Sequence, residues 1–448
     1  MQRMLKLLGV ISLMALLLSA CGGGTTTTPT AAPAAEAPTA APAAEAPTAA
    51  PAAEAPTAAP AAEAPTAAAE PTAAPAAEPA AGAGPAITGE VTLWNAYQAG
   101  SSEEAALTEL ITTIQAANPD AKITVLNVPF DQLFNKFETE AAAGGGPDMF
   151  VAPNDSLGKE VRAELLADVT TQLAGKLDDH LKVGVDGCTV NGKLYCIPES
   201  LKAVAMFYNK DKVATPPKTT DELMTAVKGG LKIGLNQNPY HSYGFFGAFG
   251  GQLLDSAGKC TADAGGFTDA MQYLVDLKAA GAQFYADGGK LKDAFQTGQL
   301  DAVIDGPWQT GDLKKSLGDK LAVAPIPAGP KGPAAPLTGT DGFYVNVNSA
   351  NVDGAVALAL NLISPDSMKV YVEKAGHIPT LKTVEIADPV TKGFADAAAT
   401  GFPRPQAAEL DNFWGPFGDM VTKVIEGQAT PEQGVKDACA AMNKANNK

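Results

Sequence analysis

Basic residues are scarce in this 448-residue chain: 32 Lys and Arg stand against 49 Asp and Glu, a formal charge of −17. That deficit argues against nucleic acid as the main partner, because binding phosphates requires a basic face. Aromatics make up only 6 % of the chain, with three tryptophans. Histidine occurs only at His180, His241 and His377, and no two cysteines are spaced CxxC, so a zinc site lacks its usual donors. No Ser/His/Asp motif, nucleotide loop or metal-ligand spacing is present; no cofactor is expected, and the histidines read as ordinary structural residues. Long apolar runs are missing too. Leu7–Leu18 spans twelve residues, short of the roughly 20 that cross a bilayer as a helix.

What is present at the N-terminus is an address. Arg3 and Lys6, the short apolar run, and Ser19 and Ala20 before Cys21 have the pattern of a secretory signal over residues 1–20. Leu18-Ser19-Ala20-Cys21-Gly22 resembles the lipobox of bacterial lipoproteins, which implies acylation at Cys21 and a protein held by lipid on the outer face of a membrane, in the periplasm or at the cell surface. The competing reading is an ordinary signal beside a chance cysteine. Residues 21–85 then collapse to Ala, Pro, Thr and Glu, and Ala-Ala-Pro-Ala-Ala-Glu-Ala-Pro-Thr recurs unchanged at 31–39, 40–48, 49–57 and 58–66. Alanine favours helix, but each proline removes an amide donor and restricts the residue before it. The expectation is an extended tether, reaching at most roughly 200 Å at about 3.1 Å per residue.

Residues 86–448 carry the fold and exceed one comfortable core, so two lobes are expected. Four cysteines remain there, Cys188, Cys196, Cys260 and Cys439. In an exported protein an even count suggests two disulfides, with three possible pairings. Cys188 and Cys196 flank Asn191-Gly192, a hairpin signal. A local Cys188–Cys196 bridge is therefore favoured, with Cys260–Cys439 by elimination.

The hydrophobic pattern alternates strand and helix. Val91–Trp94 reads as a buried strand; Leu107, Leu110, Ile111 and Ile114 fall on one face of a helix; Lys122–Val128 reads as strand; Phe130, Leu133, Phe134 and Phe137 share a helix face; Asp148–Ala152 reads as strand. Phe267–Ala280, Leu291–Thr297 and Asp301–Ile304 repeat the alternation. This implies an α/β fold with parallel or mixed sheets covered on both faces. Ligands of such sheets sit beyond the C-terminal strand ends. Tyr97 and Gln98, Asn154 and Asp155, and Asp305-Gly306-Pro307-Trp308 follow strands there, and Tyr240 and Trp414 are loop aromatics. Taken singly, each aromatic is either core or ligand contact.

Asn191-Gly192-Lys193-Leu194-Tyr195-Cys196-Ile197-Pro198, Phe207-Tyr208-Asn209-Lys210-Asp211, Pro216-Pro217-Lys218-Thr219, Ala294-Phe295-Gln296-Thr297-Gly298, Ile304-Asp305-Gly306-Pro307-Trp308 and Phe413-Trp414 form an ordered set. Over roughly residues 89–443 it resembles the extracellular solute-binding proteins of ABC importers, in their maltose/maltodextrin-binding branch. The resemblance implies a two-lobed periplasmic-binding-protein fold, each lobe a mixed sheet flanked by helices. Lobe 1 would comprise 86–201 and 338–386 and lobe 2 would comprise 202–337 and 387–448, with hinge crossings beside a ligand cleft. By position, Trp308, Tyr240 and Trp414 match the family's aromatic sugar platforms, and Asp155 an aspartate that accepts from hydroxyls. Gln98, Asn238 and Lys202 stand where the best-known members have acidic residues. Arg404 falls near a pocket-lining position, and Ala152 replaces a tryptophan. These departures point to a changed sugar specificity. Glu199 and Lys202 have the alternative of pairing with each other.

The resemblance thus implies a monomeric, non-catalytic binder that closes on an oligosaccharide and delivers it to permease subunits, with no nucleic acid partner. The alternatives are a secreted glycoside hydrolase, which needs two facing carboxylates at about 5 to 10 Å, and a binder of another polar solute.

Overall fold

Strand residues alternate between two buried surfaces in this protein, so each sheet has a core on either side. The computed structural model describes residues 84–448; the signal, Cys21 and nearly all of the expected tether lie outside them. Among the described residues the fourteen strands are β1 Gly89–Asn95, β2 Ala121–Asn127, β3 Met149–Pro153, β4 Thr189–Val190, β5 Lys193–Leu194, β6 Cys196–Lys202, β7 Ala205–Asn209, β8 Ile233–Asn236, β9 Gln283–Tyr285, β10 Ala302–Asp305, β11 Leu321–Ala324, β12 Leu337–Val345, β13 Ile378–Pro379 and β14 Phe402–Pro403. The first sheet runs β13-β6-β12-β3-β1-β2, with β14 beside β12. Its β1, β2 and β3 are mutually parallel, while β12 runs antiparallel to both β3 and β6. The second sheet runs β11-β7-β10-β8-β9.

In the first sheet, Val151 and Phe343 face a core with Leu107, Leu110 and Leu358, while their neighbours Phe150 and Tyr344 face another with Phe137 and Trp94. In the second, Met206 and Ile304 pack with Phe246, Phe267 and Phe417, and Phe207 and Val303 pack with Phe295 and Phe394 on the opposite face. This period-2 partition requires helices on both sides of each sheet. The helix Ser102–Ala117 supplies one of them; it starts where the Ser101 side chain accepts from the Glu104 amide, with Glu103 and Glu104 in its first turn.

The chain crosses between sheets at Ala203–Val204, linking β6 to β7, and returns between β11 and β12. After β13, the helix Pro389–Thr400 packs on strands of both sheets. The chain then pairs β14 with β12 before the helices Trp414–Ile425 and Pro431–Ala445 join the second-sheet core. Asn191 and Gly192 take positive φ of 52° and 79° and turn β4 into β5, a geometry that glycine adopts freely. Cys188 is bonded to Cys196 across this hairpin, and Cys260 to Cys439, joining the loop before the helix Gly266–Ala280 to the C-terminal helix.

Candidate binding cleft between the lobes

Trp308 sits in the turn Pro307–Gln309 directly after β10. The Asp305 side chain accepts from the Gly306 amide at 2.8 Å, fixing the turn. Gly306 has no room for a side chain, since a Cβ there would lie 2.1 Å from the Trp308 ring. Tyr240 is held on the helix Pro239–Ala248, with its ring centroid 6.1 Å from that of Trp308 and tilted 35°. His241 meets both rings edge-on, at 5.6 and 5.9 Å, and its Nε2 is 3.3 Å from Asp305 Oδ1. The Arg404 guanidinium lies 5.3 Å from the Tyr240 ring and 5.3 Å from the Trp414 ring. It is ion-paired with Asp155 and donates to Asn154 Oδ1 at 3.3 Å. Burial lowers the Arg404 guanidinium from its usual value to about 9. Thus β3, β10 and β14 and the starts of two helices bring Asp155, Trp308, Arg404, Tyr240 and Trp414 together. Tyr240 OH, Trp414 Nε1 and Arg404 Nε are buried without a hydrogen-bond partner. Flat aromatic faces with buried donors beside them suit a ligand that has apolar faces and a polar rim.

Below the rings lies a charged floor. Lys202, at the end of β6, reaches Glu103 Oε1 at 2.7 Å and Asp341 Oδ2 at 3.0 Å, and its Nζ is 5.7 Å from the Trp308 ring centroid. His377 bridges Glu199 Oε1 at 2.7 Å and Glu103 Oε1 at 2.9 Å. Glu199 and Lys202 therefore do not pair with each other: Glu199 is turned to His377, and Lys202 is held by two other carboxylates. Burial alone would raise the Glu103 carboxyl, but Lys202 and His377 outweigh it and hold it at about 2. Burial would lower Lys202 and His377; Asp341 and Glu103 raise the former, and Glu199 and Glu103 raise the latter to about 9. Burial, helped by Glu199 and Glu103, lifts Asp341 to about 6 against the pull of Lys202.

Two further expected site residues make other contacts. Gln98 is exposed and accepts from Lys292 Nζ at 3.2 Å; Lys292 also reaches Asp312, which accepts from the amide and hydroxyl of Ser102 at 3.0 and 2.6 Å. Gln98 thus belongs to a polar contact between the two sheets' helices. Asn238 is engaged as a helix cap: its Oδ1 accepts from the His241 amide at 3.0 Å and its Nδ2 donates to Asn236 at 2.9 Å. Trp94 is buried at the end of β1. Of the three histidines, His180 bonds Thr380 at 2.9 Å, His377 bridges Glu199 and Glu103, and His241 adjoins the rings. Glu103 and Asp341 escaped the sequence reading. Glu103 was accessible through its place in an acidic helix start after β1, whereas nothing local distinguishes Asp341.

Comparison with known proteins agrees with this architecture. The sequence model of the bacterial extracellular solute-binding proteins matches residues 109–399. The maltotriose-binding protein of Pyrococcus abyssi is 26 % identical over 358 residues, covering 76 % of this chain and 78 % of its own. The galactooligosaccharide-binding protein of Bacillus subtilis is 24 % identical over 345 residues, covering 71 % and 82 %. The structure of the Thermus thermophilus maltotriose-binding protein bound with maltotriose superposes with a TM-score of 0.72 at 29 % identity, covering 79 % of this chain and 99 % of that one. With its two large sheets and its repeated crossings between them, the chain belongs to the bacterial extracellular solute-binding proteins.

Proposed function

We propose that this protein captures an oligosaccharide of the maltodextrin kind by closing its two lobes and hands it to the membrane subunits of an ABC importer, without chemistry of its own. The observation that carries this reading is a cluster in which Arg404 lies over the Tyr240 and Trp414 rings and Tyr240 adjoins Trp308. The apolar C–H faces of a pyranose pack on such rings, and its hydroxyls need the fixed polar groups beside them. Relatives that bind maltotriose and galactooligosaccharide support the ligand class. The lobes are divided at 86–201 with 338–386, and 202–337 with 387–448. Hydrolysis is disfavoured because it needs two free facing carboxylates, and Asp155 is ion-paired with Arg404.

A lipid on Cys21 and the Ala/Pro tether would hold the monomeric captor near its transporter and raise its local concentration there. Among the described residues no helix is long and apolar enough to cross a membrane. Incorporation of a labelled acyl chain, lost in Cys21→Ala, tests the anchor. Calorimetry of the purified protein against a glycan panel tests the ligand: micromolar or tighter binding of a malto-oligosaccharide with a change in Trp fluorescence is expected. Heat from no glycan would sink the sugar reading, and release of reducing ends would favour a hydrolase.

A further inference from the structure

Strand β12 forms part of the cleft floor, and its side chains alternate. A Cβ on Gly339 would touch the Arg404 guanidinium at 3.0 Å, so that residue faces the cleft. Thr340 points away, packing where a Cβ on Gly187 would stand. Asp341 returns to the cleft side, and the register slip against β6 begins only after it. Its Oδ2 pairs with Lys202 at 3.0 Å, and Lys202 Nζ is 5.7 Å from the Trp308 ring centroid. Asp341 is only 3 % exposed, yet its Oδ1 has no hydrogen-bond partner. A buried carboxylate oxygen without a donor is costly, and protein groups normally satisfy it.

The other acids around the cleft are engaged. Asp155 is held by Arg404, Asp305 by the Gly306 amide and His241, and Glu103 by Lys202 and His377. Glu199 keeps one free oxygen, but it is bonded to His377, whose ring stacks on Tyr371 within the first lobe. Asp341 Oδ1 is thus the acceptor left open beside the Trp308 platform. Lys202 has three ammonium donors and two acidic partners, which leaves a donor next to that acceptor.

We propose that Asp341 is a specificity-determining residue, whose free Oδ1 accepts a hydrogen bond from one hydroxyl of a vicinal diol while Lys202 donates to the next, on the sugar ring stacked against Trp308. This rests on the oligosaccharide reading above and adds to it a polarity: an acceptor and a donor side by side select a ligand with two adjacent hydroxyls at one edge of the ring. A site built to bond particular hydroxyls discriminates strongly against analogues lacking them.

The groups facing Asp341 are Lys202 and Glu199 from β6, Glu103 from the helix Ser102–Ala117, and Tyr240 from the second lobe; Tyr97 and Tyr344 also lie within its field. In the unliganded protein burial holds the Asp341 carboxyl near 6. A hydroxyl donating to Oδ1 favours the ionised form, so ligand binding releases a proton near pH 6. The test is calorimetry of the intact protein with maltotriose, in buffers of different ionisation heat, at pH 6 and pH 8. We expect release of a fraction of a proton per ligand at pH 6 and none at pH 8. Asp341→Asn should abolish that release and weaken binding at pH 8 by about tenfold or more. The wild-type measurement needs no variant and stands even if Asp341→Asn folds poorly. No proton release by the wild type at pH 6, or wild-type affinity in a folded Asp341→Asn, overturns the assignment while the capture reading survives. No heat from any oligosaccharide with the wild type overturns both.

Discussion

The wall and the floor of the cleft differ in what holds them. Trp308 and Trp414 are partly buried rings packed at the edge of the second-lobe core, with flat faces and, for Trp414, an unused indole donor. The floor of Glu103, Glu199, Lys202, Asp341 and His377 is almost wholly inaccessible, from 0 to 8 % exposed, and each member is held by another. A ring at a core edge can be lost with modest effect on folding, because water already reaches part of it. A buried charge cannot lose its partner so easily, since the remaining ion has no solvent to turn to. Binding and stability are therefore separable on the wall and entangled on the floor.

Lys202→Met breaks that contrast most sharply. It strands Asp341 beside Glu103, which keeps only His377, and we expect a loss of about 3 to 5 kcal/mol in denaturant unfolding; a loss below about 1 kcal/mol would show that water screens the floor. The His377 contribution should appear as a pH dependence. Its folded-state value of about 9 lies above the reference 6.5, so the stabilisation is fully present below pH 6.5 and is lost as pH rises through 9. On the order of 3 kcal/mol should vanish across that window, with a flat profile in His377→Gln. Asp341 leaves this window undisturbed, because its carboxyl titrates near 6. The smallest expected effect is on the wall. Trp308→Ala should weaken oligosaccharide binding by about 2 kcal/mol, with the melting temperature nearly unchanged. A large fall in melting temperature would instead make that ring part of the core.

Much of the architecture is legible in local pattern. The helix face Leu107, Leu110 and Ile114 is buried, β1 and β3 are strands, and Asn191-Gly192 turns a hairpin that a disulfide closes. Trp308 and Trp414, from segments that carry the family resemblance, come together with Tyr240, Arg404 and Asp155. Asn238, preceding Pro239 at a helix start, caps that helix, with its side chain bonded to the His241 amide and to Asn236. Beyond Lys202 and Glu199 the floor was not legible, because Glu103, Asp341 and His377 come from separate elements and no periodicity marks them.

By itself the sequence determined the nine-residue repeat, the α/β alternation and the acidic balance, since these follow from composition and spacing along the chain. The tertiary structure alone decided which carboxylate meets which cation. Those pairings depend on β6 and β12 lying side by side at the crossing between lobes, and the desolvation that sets their charges arises only when the elements pack.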